Sequence, residues 1–387
     1  MHLQYSPEQC AFRAEVRAWM DSHVPGEPLI TLECREGYDQ HVEWERTLAT
    51  GNWGMVTWPE EFGGRGLDLI QWLIFEEEYF RAGAPNRANQ NGIFLLGPTI
   101  MEFGTREQKQ RFLPPMARGE VVWAQAWSEP GAGSDMAAIS SKAVRDGNHY
   151  IINGQKTWSS RGAFADWGFG IFRTDPESTR HKGLTFILFD LDTPGITRRP
   201  IRQLHGETGF AELFFDDVRV PVENCLAGEG EGWTVAMATA GFERGLMLRS
   251  PGRFQATAMR LIDLYRRNQA EAHPAAREAV LQAWMSAQAY AYNTYSVAAK
   301  IIAGGKIGAE ASLNKIFWSE LDRSMHRTAM QLLGACAELK TFDDGSVNQW
   351  LEGYIFSLSG PIYAGSNEVQ RNITAERLLG LPRAGAG

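Results

Sequence analysis

The sequence predicts an α+β chain in three parts: an N-terminal helical domain (1–119), a middle antiparallel, barrel-like β domain (120–230) and a C-terminal four-helix bundle (231–387). Three observations carry this prediction. Apolar residues recur at helical spacing up to Gly119. Strand-like runs separated by turn residues fill 120–230. Long helical patterns return after Gly232. A chain of 387 residues has room for two or three domains with cores of their own.

In the first part, Ser6-Pro7 reads as an N-cap followed by the first helical residue, and Phe12, Val16, Trp19 and Met20 share a helical face. TWPEEFGGRGLD (57–68) is a Pro/Gly-rich break, Leu69–Phe80 resumes helical spacing, and Thr105–Phe112 reads as a short charged surface helix. In the second part, VVWAQAWSE has strand character. AVRDGNHYIINGQKTW carries two turn signals, Asp146-Gly147-Asn148 and Asn153-Gly154, on either side of HYII. GLTFILFDLD and ELFFDDVRVP are further strands, and their spacing without helices is the wrong context for a βαβ nucleotide-binding unit. In the third, Leu313, Phe317, Leu321 and Met325 form the i,i+4 ridge of a bundle helix, and HPAAR (273–277) reads as a loop between helices.

Composition narrows the function. A net charge of −8 with no Lys/Arg stripe argues against a nucleic-acid partner. MHLQYSPEQC lacks the layout of a signal peptide, and the uncharged stretch Gln282–Ala299 is too polar for a membrane span, so a cytoplasmic protein is expected. Four scattered cysteines without CxxC spacing suit free thiols in a reducing compartment. The eight histidines form no HxxxH or HxH cluster, so no metal is expected.

Four stretches carry chemistry. In WAQAWSEPGAGSD (123–135) the glycines permit φ > 0, which lets consecutive amides converge on an anionic oxygen, with hydroxyls from Ser128 and Ser134; a plain Gly-rich turn reads from the same residues. In INGQKTWSSRGAFADW (152–167) a tight turn leads into Trp158-Ser159-Ser160, where a flat heterocycle would stack on Trp158 and bond Ser160, or Trp158 would simply be core. In GPIYAGSNEVQRNITAERLLGLPR (360–383) a Gly-Ser turn precedes a helix whose first amides suit a phosphate or carbonyl, or are capped by Ser366 or Asn367. In WTVAMATAGFERGLMLRS (233–250) Glu243 and Arg244 follow ten uncharged residues. As i,i+1 neighbours they do not form a face-on helical pair, so Glu243 stands either at a solvated edge or as a base in an apolar site. The chain contains no GxSxG elbow, which disfavours a serine hydrolase.

Taken in order, WPEEFGGRGL, WSEPGAGSD, INGQKTWSS, DDVRVPVEN, GEGEGW and YAGSNEVQRNITAERLLG resemble blocks of the acyl-CoA dehydrogenase family of flavoproteins over nearly the whole chain. The resemblance implies FAD held between the β domain and the bundle, with an acyl-CoA substrate against it. A base removes the α-proton of the thioester and the β-hydrogen leaves as hydride to flavin N5, giving a 2-enoyl-CoA in fatty-acid or lipid catabolism. By similarity Trp127, Ser128, Gly133, Trp158 and Ser160 surround the flavin, and Ser134 touches the CoA portion. Gln331 resembles a contact to the FAD of a neighbouring subunit. Ser366 and Glu368 match positions beside the FAD diphosphate and adenosine, Glu368 standing where Gln is more usual.

Many members carry the catalytic Glu as Y-E-G-T, but here that motif is Tyr363-Ala364-Gly365-Ser366. A smaller set, including the isovaleryl and long-chain types, place it on a bundle helix beside an Arg, the position of Glu243 and Arg244. The resemblance therefore assigns Glu243 as base and Arg244 to substrate orientation or charge balance. The Ala364 amide and a FAD ribityl hydroxyl become donors to the thioester oxygen. An apolar wall raises a carboxylate's pKa and strengthens it as a base. The family's Arg-x-x-Phe-Gly segment is replaced by RRNQAEAHPAAR (266–277), so the expected assembly is a homotetramer or a heterotetramer with a homologous subunit, with electron-transfer flavoprotein as acceptor. A monooxygenase of the same fold is the alternative, and Glu243 counts against it; a non-catalytic subunit completing a partner's FAD site is the third reading.

Overall fold

Residues 4–244, 249–270, 272–305 and 307–382 are described in a computed structural model. They fall into two units: Pro25–Leu67 with Pro85–Glu243, and Met1–Val24 with Asp68–Ala84 and Arg244–Gly387.

The first helix of the unit made from 25–67 and 85–243 is α2 (Arg35–Thr50); α1 (Pro7–His23) lies in the other unit. The 57–68 stretch is the expected break, with a single 3-10 turn at Glu60–Phe62. A π-helical turn, Asn91–Leu96, runs into α4 (Gly97–Phe103). Helix α5 (Arg106–Ala117) runs further than its charge pattern suggests; it exposes Arg106, Glu107, Gln110 and Arg111 on one face and buries Phe112, Leu113 and Met116 on the other. Its N-cap Thr105 and Gln108 form a reciprocal capping box, a device that contributes about 1 kcal/mol.

Eight strands follow: β1 (Trp123–Ala126), β2 (Lys142–Asp146), β3 (His149–Ser160), β4 (Trp167–Arg173), β5 (Leu184–Asp190), β6 (Ile196–Ile201), β7 (Phe210–Pro221) and β8 (Cys225–Leu226). They form one sheet in the order β6-β7-β3-β2-β4-β5-β8, with β1 beside β4. Pairing is antiparallel except for β1 with β4 and a single β2–β4 pair, which are parallel. Gly147-Asn148 closes the β2–β3 hairpin, with Asp146 opposite His149 and Gly147 at φ 57°.

The second turn signal, Asn153-Gly154, is not a turn; it lies inside the continuous strand β3. Opposite it β7 carries one extra residue, because Ile152 pairs with Val218 and Gly154 with Phe215. Asp217 takes φ 48° there and exchanges hydrogen bonds with the Asn153 amide at 2.9 Å. Gly154, at φ 143°, is needed for close approach, since a Cβ would lie 2.4 Å from Ser141 Oγ. The core of the β region joins Tyr38, Ala124, Ala126, Tyr150, Ile152, Phe172, Phe189, Leu213 and Phe215. Helix α6 (Gly232–Arg244) completes this unit, fastened to α4 by a 2.8 Å bond between the buried hydroxyls of Thr239 and Thr99.

The other unit packs α1 and α3 (Leu69–Arg81) with α7 (Pro251–Asn268), α8 (Ala275–Ile302), α9 (Ala311–Leu333), α10 (Gln349–Ser357) and α11 (Asn367–Ile373). Ser6 caps α1 as expected, and Phe12, Val16 and Met20 are buried, while Trp19 is half-buried and stacks on His23. HPAAR is only half a loop, since α8 starts at Ala275. The expected ridge on α9 is split: Leu321 and Met325 are buried, but Leu313 and Phe317 are exposed. The inner face of α9 instead uses Lys315, Trp318, Ser319 and Asp322. Among the described residues no helix is long and apolar enough to cross a membrane.

Candidate active site

Strand β1 ends by delivering Trp127 into a tight loop. Glu129 and Ala132 exchange backbone hydrogen bonds at 2.9 and 3.0 Å, which closes the loop before Gly133 and the exposed Ser134. Gly131 and Gly133 do not have positive φ, so the loop does not use the freedom that these glycines permit. A Cβ at either position would meet nothing within 4 Å, so these glycines leave open space beside the loop. Trp127 is 8% exposed, and its indole Nε1 is buried with no hydrogen-bond partner among the described residues. A buried donor without an acceptor is costly unless a ligand supplies one.

The end of β3 is bound to this loop directly, as Thr157 N donates to Ser128 O at 2.8 Å. Between Lys156–Leu213 and Ser159–Ala211, β3 itself carries one extra residue. Trp158 sits in that bulge at φ 57° and is 60% exposed, with Phe210 edge-on at 6.2 Å. The bulge turns the side chain outward, so Trp158 is an exposed ring and not core. Ser159 is buried and Ser160 half-buried beside it. The structure thus brings Trp127, Ser128, Gly133, Ser134, Trp158 and Ser160 together on one loop and one strand end.

Beneath them lies a pair that the sequence reading missed. Lys156 is fully buried and donates to Glu129 Oε1 at 2.8 Å, to Ile171 O at 2.7 Å and to Trp127 O at 3.2 Å. Glu129 also accepts from Ser140 N, Ser140 Oγ and Ser141 N at 2.7, 2.9 and 2.9 Å. Burial works to raise the Glu129 pKa, but the Lys156 charge and these donors outweigh it and hold the carboxyl down at about 2. Burial pulls the Lys156 ammonium down to about 8 against the opposing pull of Glu129. One signal was present: Lys156 shares the strand parity of buried Tyr150 and Ile152.

The remaining candidates lie in the other unit. Ala364 and Gly365 take φ 57° and 76°, and Gln370 Nε2 donates to both of their carbonyls at 3.1 and 3.3 Å. Arg249 Nη2 donates to Tyr363 Oη at 3.1 Å, its guanidinium lying over the Trp318 and Tyr363 rings. Ser366 is the N-cap of α11. Next to it, Asn367 is buried and accepts from Lys315 Nζ at 2.9 Å while donating to Ser319 and Glu320. Gln331 is exposed on the last turn of α9, and Glu368 is exposed on the first turn of α11. Glu243 and Arg244 are the last residues of α6, one helical turn beyond Thr239; their side chains, and residues 245–248, lie outside the described residues.

Comparison with known proteins bears on the whole chain. Family models match in sequence order: acyl-CoA dehydrogenase, N-terminal domain over residues 6–120, middle domain over 124–218 and C-terminal domain over 230–379. The chain is 39% identical over 383 residues to the acyl-CoA dehydrogenase IpdE1 of Mycobacterium tuberculosis, covering 97% of this chain and 98% of that protein. Among solved structures it resembles the Tcur3481-Tcur3483 steroid ACAD with a TM-score of 0.87 and 28% identity, over 99% of this chain and 100% of that one. It resembles the ChsE4-ChsE5 complex from Mycobacterium tuberculosis with a TM-score of 0.82 and 30% identity, over 99% and 100%.

Proposed function

The chain belongs to the acyl-CoA dehydrogenase family, an FAD-dependent family that dehydrogenates acyl-CoA thioesters, and from that premise we propose that Glu243 is its catalytic base. One observation carries the proposal. At the Tyr363-Ala364-Gly365-Ser366 turn the residue between Tyr363 and Gly365 is an alanine, whose methyl group cannot accept a proton. The backbone of Ala364 is nonetheless held in a fixed left-handed conformation by Gln370, which suits a task performed by an amide and not by a side chain. Glu243 then removes the α-proton of the thioester. The Ala364 amide donates to the thioester oxygen as charge develops on it. Arg244 orients the substrate.

The β unit offers a fit for the cofactor: the partnerless indole donor of Trp127, the open space at Gly133 and the presented ring of Trp158. Trp127, Ser128, Gly133, Trp158 and Ser160 would hold FAD there and Ser134 would meet the CoA portion; Ser366, Glu368 and a neighbouring subunit's Gln331 are the residues proposed for the rest of the cofactor. FAD, when bound, would supply the hydride-accepting chemistry that the dehydrogenation needs. The residues around it would hold it and shield it from water.

The substrate we propose is a steroid-derived acyl-CoA, a reading supported by the steroid neighbour. Assembly with a homologous subunit is supported by the paired neighbours and by the apolar side chains that α8 and α9 leave exposed, Trp284, Met285, Tyr292, Leu313 and Phe317. Electron-transfer flavoprotein is the proposed acceptor and the cytoplasm the proposed compartment. The test is an anaerobic titration of the flavin-loaded enzyme with straight-chain, branched and steroid-side-chain thioesters. Bleaching of the flavin by the steroid class alone is expected; bleaching only by straight chains rejects the substrate assignment. Glu243→Gln is expected to keep its flavin and slow reduction by about 10²-fold or more. Undiminished reduction rejects the base.

A further inference from the structure

The Glu129–Lys156 pair sits between the two segments assigned to the flavin. Trp127 and Ser128 immediately precede Glu129; Trp158 and Ser160 closely follow Lys156. The Lys156 ammonium touches both sides of this arrangement, bonding the Trp127 carbonyl and the Glu129 carboxylate on the loop from its own strand β3, and the Ile171 carbonyl on β4. Glu129 in turn gathers the Ser140 and Ser141 amides from the segment just before β2. One buried ammonium therefore fixes where the Trp127 backbone lies relative to the bulge that presents Trp158. An ion pair this deeply buried is weak evidence for stability, because desolvation offsets its attraction and apolar replacements of both partners are often tolerated. Its geometry, by contrast, is specific: two strands and one loop are registered by a single nitrogen, and its carboxylate partner adds the segment leading into β2.

We propose that Lys156 and Glu129 are positioning residues for the cofactor, setting the spacing between the Trp127–Ser128 loop and the Trp158–Ser160 strand end. The proposal rests on the reading that these two segments flank the flavin.

The test uses purified full-length holoenzyme and compares Lys156→Met, the double variant Lys156→Met/Glu129→Gln, Trp158→Ala and Ser160→Ala. Three quantities are read: the unfolding midpoint, the rate of FAD release on dilution and the visible circular dichroism of the bound flavin. In Lys156→Met a carboxylate is buried without its cation, so both the midpoint and FAD retention fall. In the double variant no buried charge is left alone, so the midpoint recovers toward wild type. FAD release nonetheless stays faster by about tenfold, the scale of one lost charged hydrogen bond, and the flavin dichroism stays altered. If FAD retention and dichroism recover together with the midpoint, the pair serves stability alone and the proposal is overturned. Should Lys156→Met give no soluble protein, the double variant decides by the same criteria. The underlying reading fails separately: Trp158→Ala and Ser160→Ala that both release FAD at the wild-type rate with unchanged dichroism place the flavin elsewhere.

Discussion

Two turns assigned to the cofactor are each fastened by a fully buried lysine, and they are fastened differently. In the β unit Lys156 meets a carboxylate and two backbone carbonyls, joining segments far apart in the chain. In the bundle unit Lys315 meets the amide oxygen of Asn367, one residue from the Ser366 cap, and the turn's shape is set by two left-handed residues braced by Gln370. The first turn owes its geometry to charge inside a sheet. The second owes it to local backbone conformation. The contrast predicts that charge removal damages the first and that a change in backbone freedom damages the second.

The largest effect is expected from Glu129→Ala, which leaves the Lys156 ammonium buried beside carbonyls alone. Breaking a buried pair in this way costs about 3–5 kcal/mol. Asn367→Ala removes hydrogen bonds around a buried amide and is expected to cost about 1–3 kcal/mol. Urea unfolding of both variants ranks them, and a larger loss for Asn367→Ala would invert the comparison.

Acid offers a second measure of the same difference. The Glu129 pKa is depressed in the folded chain from 4.5 to about 2, so its contribution is complete above about pH 4.5 and is lost as pH falls toward 2. The loss is on the order of 3 kcal/mol. Unfolding midpoints measured between pH 5 and 2 are expected to fall less steeply in Glu129→Gln than in the wild type; parallel curves would show that other carboxyls govern the acid limb.

Glycines separate the two turns next. Gly365 is at φ 76° and a Cβ there would lie 2.4 Å from Gln370 Nε2, so Gly365→Ala is expected to cost about 1–3 kcal/mol. Gly133 has no such strain and faces open space, so Gly133→Ala is expected to leave the melting temperature of flavin-free protein within about 1 °C while weakening FAD retention. A stability loss at Gly133 equal to that at Gly365 would remove the distinction.

Much of the fold was legible because periodicity changes twice along the chain, and caps such as Ser6-Pro7 and the Gly147-Asn148 hairpin act over a few residues. What stayed hidden is non-local. The Asn153-Gly154 signal reads as a turn until the extra residue on β7 is known, sixty-odd positions away. The parallel β1–β4 pairing has no sequence mark of its own. The α9 ridge reads as core at Leu313 and Phe317 because pattern alone does not tell a core face from an exposed apolar one. Within the candidate site, the Gly-rich loop and Trp158 stood out, whereas Lys156 did not: a lysine in a strand reads as solvated until its carboxylate, 27 residues earlier, is placed beside it.

The smallest effect is expected where sequence and turn disagree least in physics. Glu368 is exposed on the first turn of α11, where a carboxylate suits the helix N-terminus; hydrogen bonds from its own backbone amide and from Ser366 hold its pKa below the usual value. Arg371 lies 3.8 Å away on the same exposed face. Glu368→Gln keeps the side-chain shape and removes one solvated charge, so FAD release is expected to change by no more than about twofold. A tenfold change in either direction would mean that the FAD diphosphate reads the charge at this position, and the bundle turn would then depend on electrostatics as the β unit does.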